Sequence, residues 1–238
     1  TFTMELWVNP TATRTSTTES NSGTAGISGQ RYAIFPANGN NQYGAFHAGA
    51  GISVGTNGIS VAEHSQNYVP TPLVYDASIT GWNHVVVVYT NKQPKLYLNG
   101  VLVKTGVSSS YTVHPSTDLG ELGAGYGYFK GAIDEVRIWN RSLSAEQVLA
   151  LYNNRTDLIV ANETSVGENW SVQITPNDGM EDGAALTSNG VLITAAIASD
   201  TTAPTISAIS AASVTVNSAS ITWTTDESAN ASVKYGTT

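Results

Sequence analysis

Two carboxylates facing one sugar ring, about 5–10 Å apart, are the minimum equipment of a glycoside hydrolase. On a strand, residues that share a face lie two or four apart. Asp134 and Glu135 are adjacent, so they point to opposite faces, and Asp118 and Glu121, three apart, split in the same way. A Glu-x-Asp-x-x-Glu run, which would align such carboxylates, is absent. His47, His64, His84 and His114 show neither a His-x-His nor a His-Glu-x-x-His spacing. His84, inside an apolar stretch, reads as a hydrogen-bonded core or inter-sheet residue rather than a metal ligand. No Gly-x-Ser-x-Gly elbow offers a nucleophile. The glycine-rich run 120–131 contains Gly-Ala-Gly-Tyr-Gly-Tyr, but no helix start or Lys-Ser/Thr pair follows it. It therefore reads as a turn rather than a phosphate cradle. The chain is expected to bind rather than to catalyse. Tyr126 and Tyr128, flanked by glycines in this loop, are the candidate platforms for stacking on a glycan. Trp7, Trp82, Trp139, Trp170 and Trp223 fall one to a strand and are expected in the core.

Composition narrows the partners. The chain has 238 residues, 41% of them hydrophobic, enough for a real core. Only 12% are charged, about half the usual share, and Ser, Thr, Gly and Asn take their place. A net charge of −8 argues against nucleic acid and anionic membrane as partners. There is no cysteine, so disulfides and thiolate metal ligands are excluded. No signal peptide or apolar run long enough to insert in a membrane is visible. Both ends read as cut from a longer chain. The composition is that of an extracellular or cell-surface β protein.

The elements that must position any site are strands. Residues 2–9 alternate, with Phe2, Met4, Leu6 and Val8 on one face and Trp7 on the other. Residues 11–30, rich in Ser, Thr and Gly, read as a long loop. Residues 31–36 and 42–48 read as strands around a turn at 38–41, and 51–55 and 59–64 as a hairpin across Thr56-Asn57-Gly58. Residues 73–79 read as an edge strand. The centre is 82–89, Trp-Asn-His-Val-Val-Val-Val-Tyr, whose unbroken apolar run suits a strand covered on both faces. Asn99-Gly100 then marks a two-residue hairpin turn. Residues 95–98 and 136–139 alternate more openly, as strands with one wet face do. Ser144-Ala145-Glu146-Gln147 is a capping box, and Val148, Leu149, Leu151 and Tyr152 continue it as a helix over about 145–153.

These stretches in this order (Phe-Thr-Met-Glu-Leu-Trp-Val-Asn-Pro, Trp-Asn-His-Val-Val-Val-Val-Tyr, Leu-Tyr-Leu-Asn-Gly-Val-Leu-Val, Phe-Lys-Gly-Ala-Ile-Asp-Glu-Val-Arg-Ile-Trp) resemble a laminin-G-like, concanavalin-A-like jelly roll over about 1–153. The resemblance implies an all-β, two-sheet antiparallel sandwich with one short helix, but no activity, because this fold hosts lectins, adhesion modules and glycosidases alike. Such domains carry calcium at loop rims, which makes calcium the candidate cofactor and Asp76, Asp118, Glu121 and Asp134 the candidate ligands. Asp134 has a second reading, as a carboxylate that braces a turn. Asp178 and Asp182 lack the alternate spacing of an EF-hand loop and read as a plain turn.

Beyond the helix the pattern changes. Residues 158–160, 169–175 and 191–193 read as strands, and Trp-Ser-Val-Gln-Ile-Thr-Pro-Asn-Asp-Gly resembles the closing half of an immunoglobulin-like surface repeat. Residues 206–209, 219–225 and 231–236 also read as strands, and with Trp223 they resemble the opening half of a fibronectin type III module. The expected domains are thus 1–155, 156–200 and 201–238. Asn-x-Ser/Thr occurs at Asn140, Asn154, Asn162, Asn169 and Asn230, candidate glycosylation sites, although a chain this rich in Asn, Ser and Thr gives about four such matches by chance. The expected function is a non-enzymatic extracellular module for adhesion, glycan binding or assembly of a surface filament or layer. The alternative is a carbohydrate-binding accessory region of a secreted glycoside hydrolase. Expected partners are extracellular glycans or proteins, or further copies of the chain joined by strand addition.

Overall fold

Alternation in the first strand sets the layering. In the computed structural model, which describes residues 1–26, 28–120, 126–155, 157–195, 201–234 and 236, the chain forms two compact units, Thr1–Ser165 and Val166–Thr238. The first unit contains β1 (Phe2–Pro10), β2 (Tyr32–Phe35), helix α1 (Gly39–Tyr43), β3 (His47–Gly55), β4 (Gly58–His64) and β5 (Leu73–Tyr75). It continues with β6 (Asn83–Thr90), β7 (Gln93–Leu98), β8 (Val101–Thr105), β9 (Thr112–Pro115), β10 (Asp118–Leu119), β11 (Gly131–Trp139) and helix α2 (Ala145–Tyr152). One sheet runs β11-β1-β6-β7-β8 and the other β10-β2-β3-β4-β5, with β9 pairing parallel to the start of β3. This is the expected all-β sandwich.

The core lies between the sheets. Phe2, Met4, Leu6 and Val8 of β1 face Ala50, Ile52 and Val54 of β3 and Ile59 and Val61 of β4, and all are buried. Fully burying each such side chain contributes about 1.5–3 kcal/mol. The valine run of β6 is buried on both faces for separate reasons. Val85 and Val87 join the inter-sheet core, whereas Val86 and Val88 meet Tyr97, Leu143 and Val148 beneath α2. Helix α2 starts where the capping box requires, with Ser144 accepting from the Gln147 amide and Gln147 reaching back to the Ser144 amide. The turn between β7 and β8 has Asn99 at φ 51° and Gly100 at φ 81°, the conformation that Asn-Gly favours.

Several expectations are corrected. Residues 38–43 are neither turn nor strand: the Asn38 side chain accepts from the Asn41 amide and starts α1. Gly39 is needed there, since a Cβ would sit 2.5 Å from the Ala48 backbone. The edge strand over 73–79 shrinks to β5, and β9 appears where only a connection was expected. Residues 158–160 form no strand; Val160 instead turns into a short 3-10 helix, Ala161–Glu163, and Glu163 hydrogen-bonds Gln147 of α2 at 2.6 Å. The first unit therefore extends past residue 155. Trp82 lies just before β6 and is 48% exposed, and none of the five tryptophans is fully buried.

In the second unit the strand expected over 169–175 breaks into β12 (Asn169–Trp170) and β13 (Gln173–Ile174), which pair with β15 (Val191–Leu192) and β14 (Leu186–Thr187) respectively. β16 (Ile206–Ala212) pairs with β17 (Ser220–Thr225), and residues 231–234 form no strand. No described residue of this unit is buried.

Candidate ligand-binding site

Three connections converge at one end of the sandwich. The first follows α1, where Gly44 at φ 95° ends the helix and Phe46 sits at φ 63°. The second is the turn at 65–68, closed by the Ser65 amide donating to Tyr68 O at 2.8 Å and the Tyr68 amide to Ser65 O at 3.2 Å. The third, 108–111, leads into β9, whose Thr112 amide donates to Phe46 O at 2.9 Å. Their rings form a rim. Tyr68 and Tyr111 stack at 4.0 Å and 6°, Phe46 lies 5.8 Å from Tyr111, and Tyr43 stacks on His114 at 3.9 Å. Phe46 is 72% and Tyr43 50% exposed. Asn21 ties the connections together: its side chain donates to Ser108 O at 3.2 Å, and its carbonyl accepts from Tyr68 Oη at 3.1 Å and Ser110 Oγ at 3.4 Å. His47 Nδ1 and His114 Nε2 lie 2.8 Å apart. One must donate and the other accept, so the pair holds together only while one imidazole is neutral. Burial, then the neighbouring His47, lowers the His114 pKa.

Beneath the rim lies Glu63, fully buried. The alternation Ile59, Val61, Glu63 in β4 places it on the core face. Tyr89 Oη donates to its Oε1 at 3.0 Å and Tyr68 Oη to its Oε2 at 3.4 Å, and Ser109 Oγ also contacts Oε2. Ser109 Oγ in turn accepts from the Tyr111 amide at 3.0 Å. Burial pushes the Glu63 carboxyl up to about 7, outweighing the opposing hydrogen bonds from Ser109, Tyr89 and Tyr68 and the charge of Lys92.

On the opposite side of the first sheet, Glu5 organises a second buried network. It accepts from His84 Nε2 at 3.2 Å, Arg137 Nη1 at 3.0 Å and Trp139 Nε1 at 2.9 Å. Burial alone would raise its carboxyl. The hydrogen bonds from His84 and Trp139 and the positive charges of His84 and Arg137 outweigh that and hold it below the ordinary value. His84 is thus the hydrogen-bonded core residue that the sequence implied. With Glu5 enclosed, this network fastens β1 to β6 and β11.

The residues singled out in the sequence lie elsewhere. Tyr126 packs edge-on against Phe35 at 5.0 Å, in a small cluster with Tyr32 and Ala62. Tyr128 is 57% exposed, and its carbonyl accepts from Arg31 Nη1 at 3.2 Å. Asp76 is ion-paired to Arg14 at 2.7 Å, just past β5 at one edge of its sheet. Asp118 lies in β10 at the other edge of that sheet, and Asp134 belongs to the other sheet. Asp134 Oδ1 accepts from the Glu135 amide at 2.8 Å where Glu135 adopts φ 50°, so it braces an irregularity within β11 where the register against β1 shifts, and not a turn. Glu121 lies outside the described residues. Among the described residues no three of His, Asp and Glu converge as a metal site. Asp178 accepts from the Met180 and Glu181 amides, as a plain turn does. Asn140, Asn154, Asn162, Asn169 and Asn230 are all exposed.

The rim residues Tyr43, Phe46, Tyr68 and Tyr111 and the acid beneath them were not singled out from the sequence. Glu63 had a signal, a carboxylate at a core-facing position of an alternating strand. Phe46 had none, because its exposure depends on a positive φ and on contacts between distant segments.

Solved structures match the chain at low identity and low TM-score. Domain 4 of an extracellular arabinanase from Geobacillus stearothermophilus, in complex with arabinotriose, is 21% identical, covering 63% of this chain and 66% of that one, with a TM-score of 0.35. The CBM40 of a Ruminococcus gnavus sialidase, bound to sialyllactose, is 17% identical over 63% of this chain and 82% of that one, at 0.41. The receptor-binding domain of botulinum neurotoxin type G is 13% identical over 76% of this chain and 44% of that one, at 0.39. The chain thus spans less than two thirds of the arabinanase and neurotoxin domains. No curated protein matches it. No helix among the described residues is long and apolar enough to cross a membrane. Residues 1–149, well over half of the sequence, match one family throughout, and the chain belongs to the concanavalin A-like lectin/glucanase superfamily.

Proposed function

We propose that the chain is a non-catalytic binding module of an extracellular or cell-surface protein, and that its jelly roll takes a neutral glycan on the aromatic rim of Phe46, Tyr111 and Tyr43. The observation that carries this reading is Phe46. A bulky residue at positive φ costs about 1–2 kcal/mol. Here that cost exposes the ring instead of burying it. Strain without a packing return is the mark of a position kept for contact. Aromatic faces stack on the apolar faces of sugar rings, and the surrounding Asn and Ser groups suit hydroxyls. The two interior carboxylates, Glu5 and Glu63, are enclosed and already hold several donors, which supports binding without hydrolysis.

In this reading residues 166–200, the part of the expected 156–200 segment outside the first unit, are immunoglobulin-like and 201–238 fibronectin type III-like, both spacers, with β16 and β17 as the hairpin that opens the latter. The test is a glycan array probed with the full chain. Binding to neutral glycans, lost in Phe46→Ala and Tyr111→Ala, is expected. Binding that both variants retain would reject the rim as the site.

A further inference from the structure

Glu63 is an acid with no role in stacking a ligand, yet it joins two of the three connections that build the rim. Tyr68 comes from the 65–68 turn, Ser109 from the 108–111 connection, and Tyr89 from β6 at the floor. Tyr68 then stacks on Tyr111, and Ser109 Oγ holds the Tyr111 amide. Among the described residues no Lys, Arg or His lies within ion-pair distance of Glu63. Of the ionisable groups around it, Tyr68 and Tyr89 touch it, and Lys92, in the β6–β7 turn, acts through its charge alone.

We propose that Glu63 is a pH-sensitive latch on the aromatic rim: as a neutral acid it holds residues 65–68 and 108–111 closed, and as a carboxylate it favours their opening. The neutral form keeps Tyr89 and Tyr68 paired and turns the Ser109 hydroxyl from donor to acceptor. Its Oε2–H donates to Ser109 Oγ, Tyr89 donates to Oε1, and Tyr68 turns to Asn21 O, which is already within reach at 3.1 Å. The ionised form gains no cation to offset burial, and water reaches it only when the covering connections lift. Opening exposes the carboxyl and returns it to its ordinary value of 4.5, whereas the closed form titrates at about 7. Linkage then shifts the open/closed ratio roughly seventyfold toward open between pH 5 and pH 8. Since opening separates Tyr68 from Tyr111, it dismantles the stacking surface. This consequence for glycan binding rests on the function proposed above, but the latch itself does not.

The experiment is amide hydrogen exchange on the full chain at pH 5 and pH 8, expressed as protection factors so that the intrinsic pH dependence of exchange cancels. The reporters are the Tyr68, Ser109, Tyr111 and Thr112 amides, and the reference is β6. In the wild type, the reporters are expected to stay less protected than β6 at both pH values and to fall by up to roughly seventyfold, whereas β6 follows overall stability; reporters protected as well as β6 would assign the fall to global unfolding and overturn the latch. In Glu63→Gln the fall is expected to vanish. Equal wild-type protection at both pH values would overturn the latch, whether or not the variant folds. A fall that persists in Glu63→Gln but is abolished in His114→Gln would also overturn it, assigning the effect to the histidine pair. A panel of neutral oligosaccharides titrated at both pH values adds the second arm. Weaker binding at pH 8, absent in Glu63→Gln, is the expected result. No binding at either pH would reject the glycan reading and leave the exchange result to decide the latch.

Discussion

Replacing Glu63 by Gln tests the energetics of the buried acid without any ligand. The side chain keeps its shape, loses its charge and can still accept from Tyr89. In the folded chain the carboxyl titrates at about 7, against an ordinary 4.5. Between these values the folded chain holds a proton that the unfolded chain has released. Stability therefore falls as pH rises through that window, fully present below it and lost by its upper end. From pH 5 to pH 8 the loss is about 2.5 kcal/mol, as 1.36 kcal/mol accompanies each pKa unit. His64 and His114, both lowered by burial, act in the opposite sense, because their unfolded forms take up protons first. They contribute equally to wild type and variant, so the difference between the two urea-unfolding curves isolates Glu63. Glu63→Gln is expected to gain about 2.5 kcal/mol on the wild type over that range. A difference that does not change with pH would refute the reasoning and mean that Glu63 is hydrated or paired in the folded chain.

Two further substitutions probe how the sandwich is fastened. Gly100→Ala places a Cβ 2.9 Å from Leu149 Cδ1 at a φ of 81°, so it is expected to cost more than about 1 kcal/mol in chemical denaturation and to loosen α2. Glu5→Gln removes the buried carboxylate shared by His84, Arg137 and Trp139, while Arg137 keeps Glu135, and is expected to cost about 1–3 kcal/mol, read by the same assay.

What the sequence disclosed divides along physical lines. Asn99-Gly100, the Ser144–Gln147 capping box and the valine run of β6 were legible because each is local: two positive φ values, two reciprocal hydrogen bonds, one stretch without a polar face. Helix α1 was not, since a single turn has no periodicity, and only the Asn38 cap betrays it. β9 was missed because a four-residue strand draws its stability from pairing with β3, far away in sequence. The aromatic rim was illegible for the same reason. Tyr126 and Tyr128 attracted notice through neighbouring glycines, whereas Tyr43, Phe46, Tyr68 and Tyr111 meet only after α1, β4 and β9 are in place. The acids Asp76, Asp118 and Asp134 look alike in sequence, but sheet order sends them to different edges.

The central claim is that Phe46 and Tyr111 form a ligand surface and not a structural one. Isothermal titration of the strongest neutral array ligand into wild type and Phe46→Ala, beside thermal unfolding of both, tests it most directly. The account predicts affinity at least about tenfold weaker in the variant, with stability within about 1 kcal/mol of wild type. Unchanged affinity, or a large loss of stability in the variant, would contradict it.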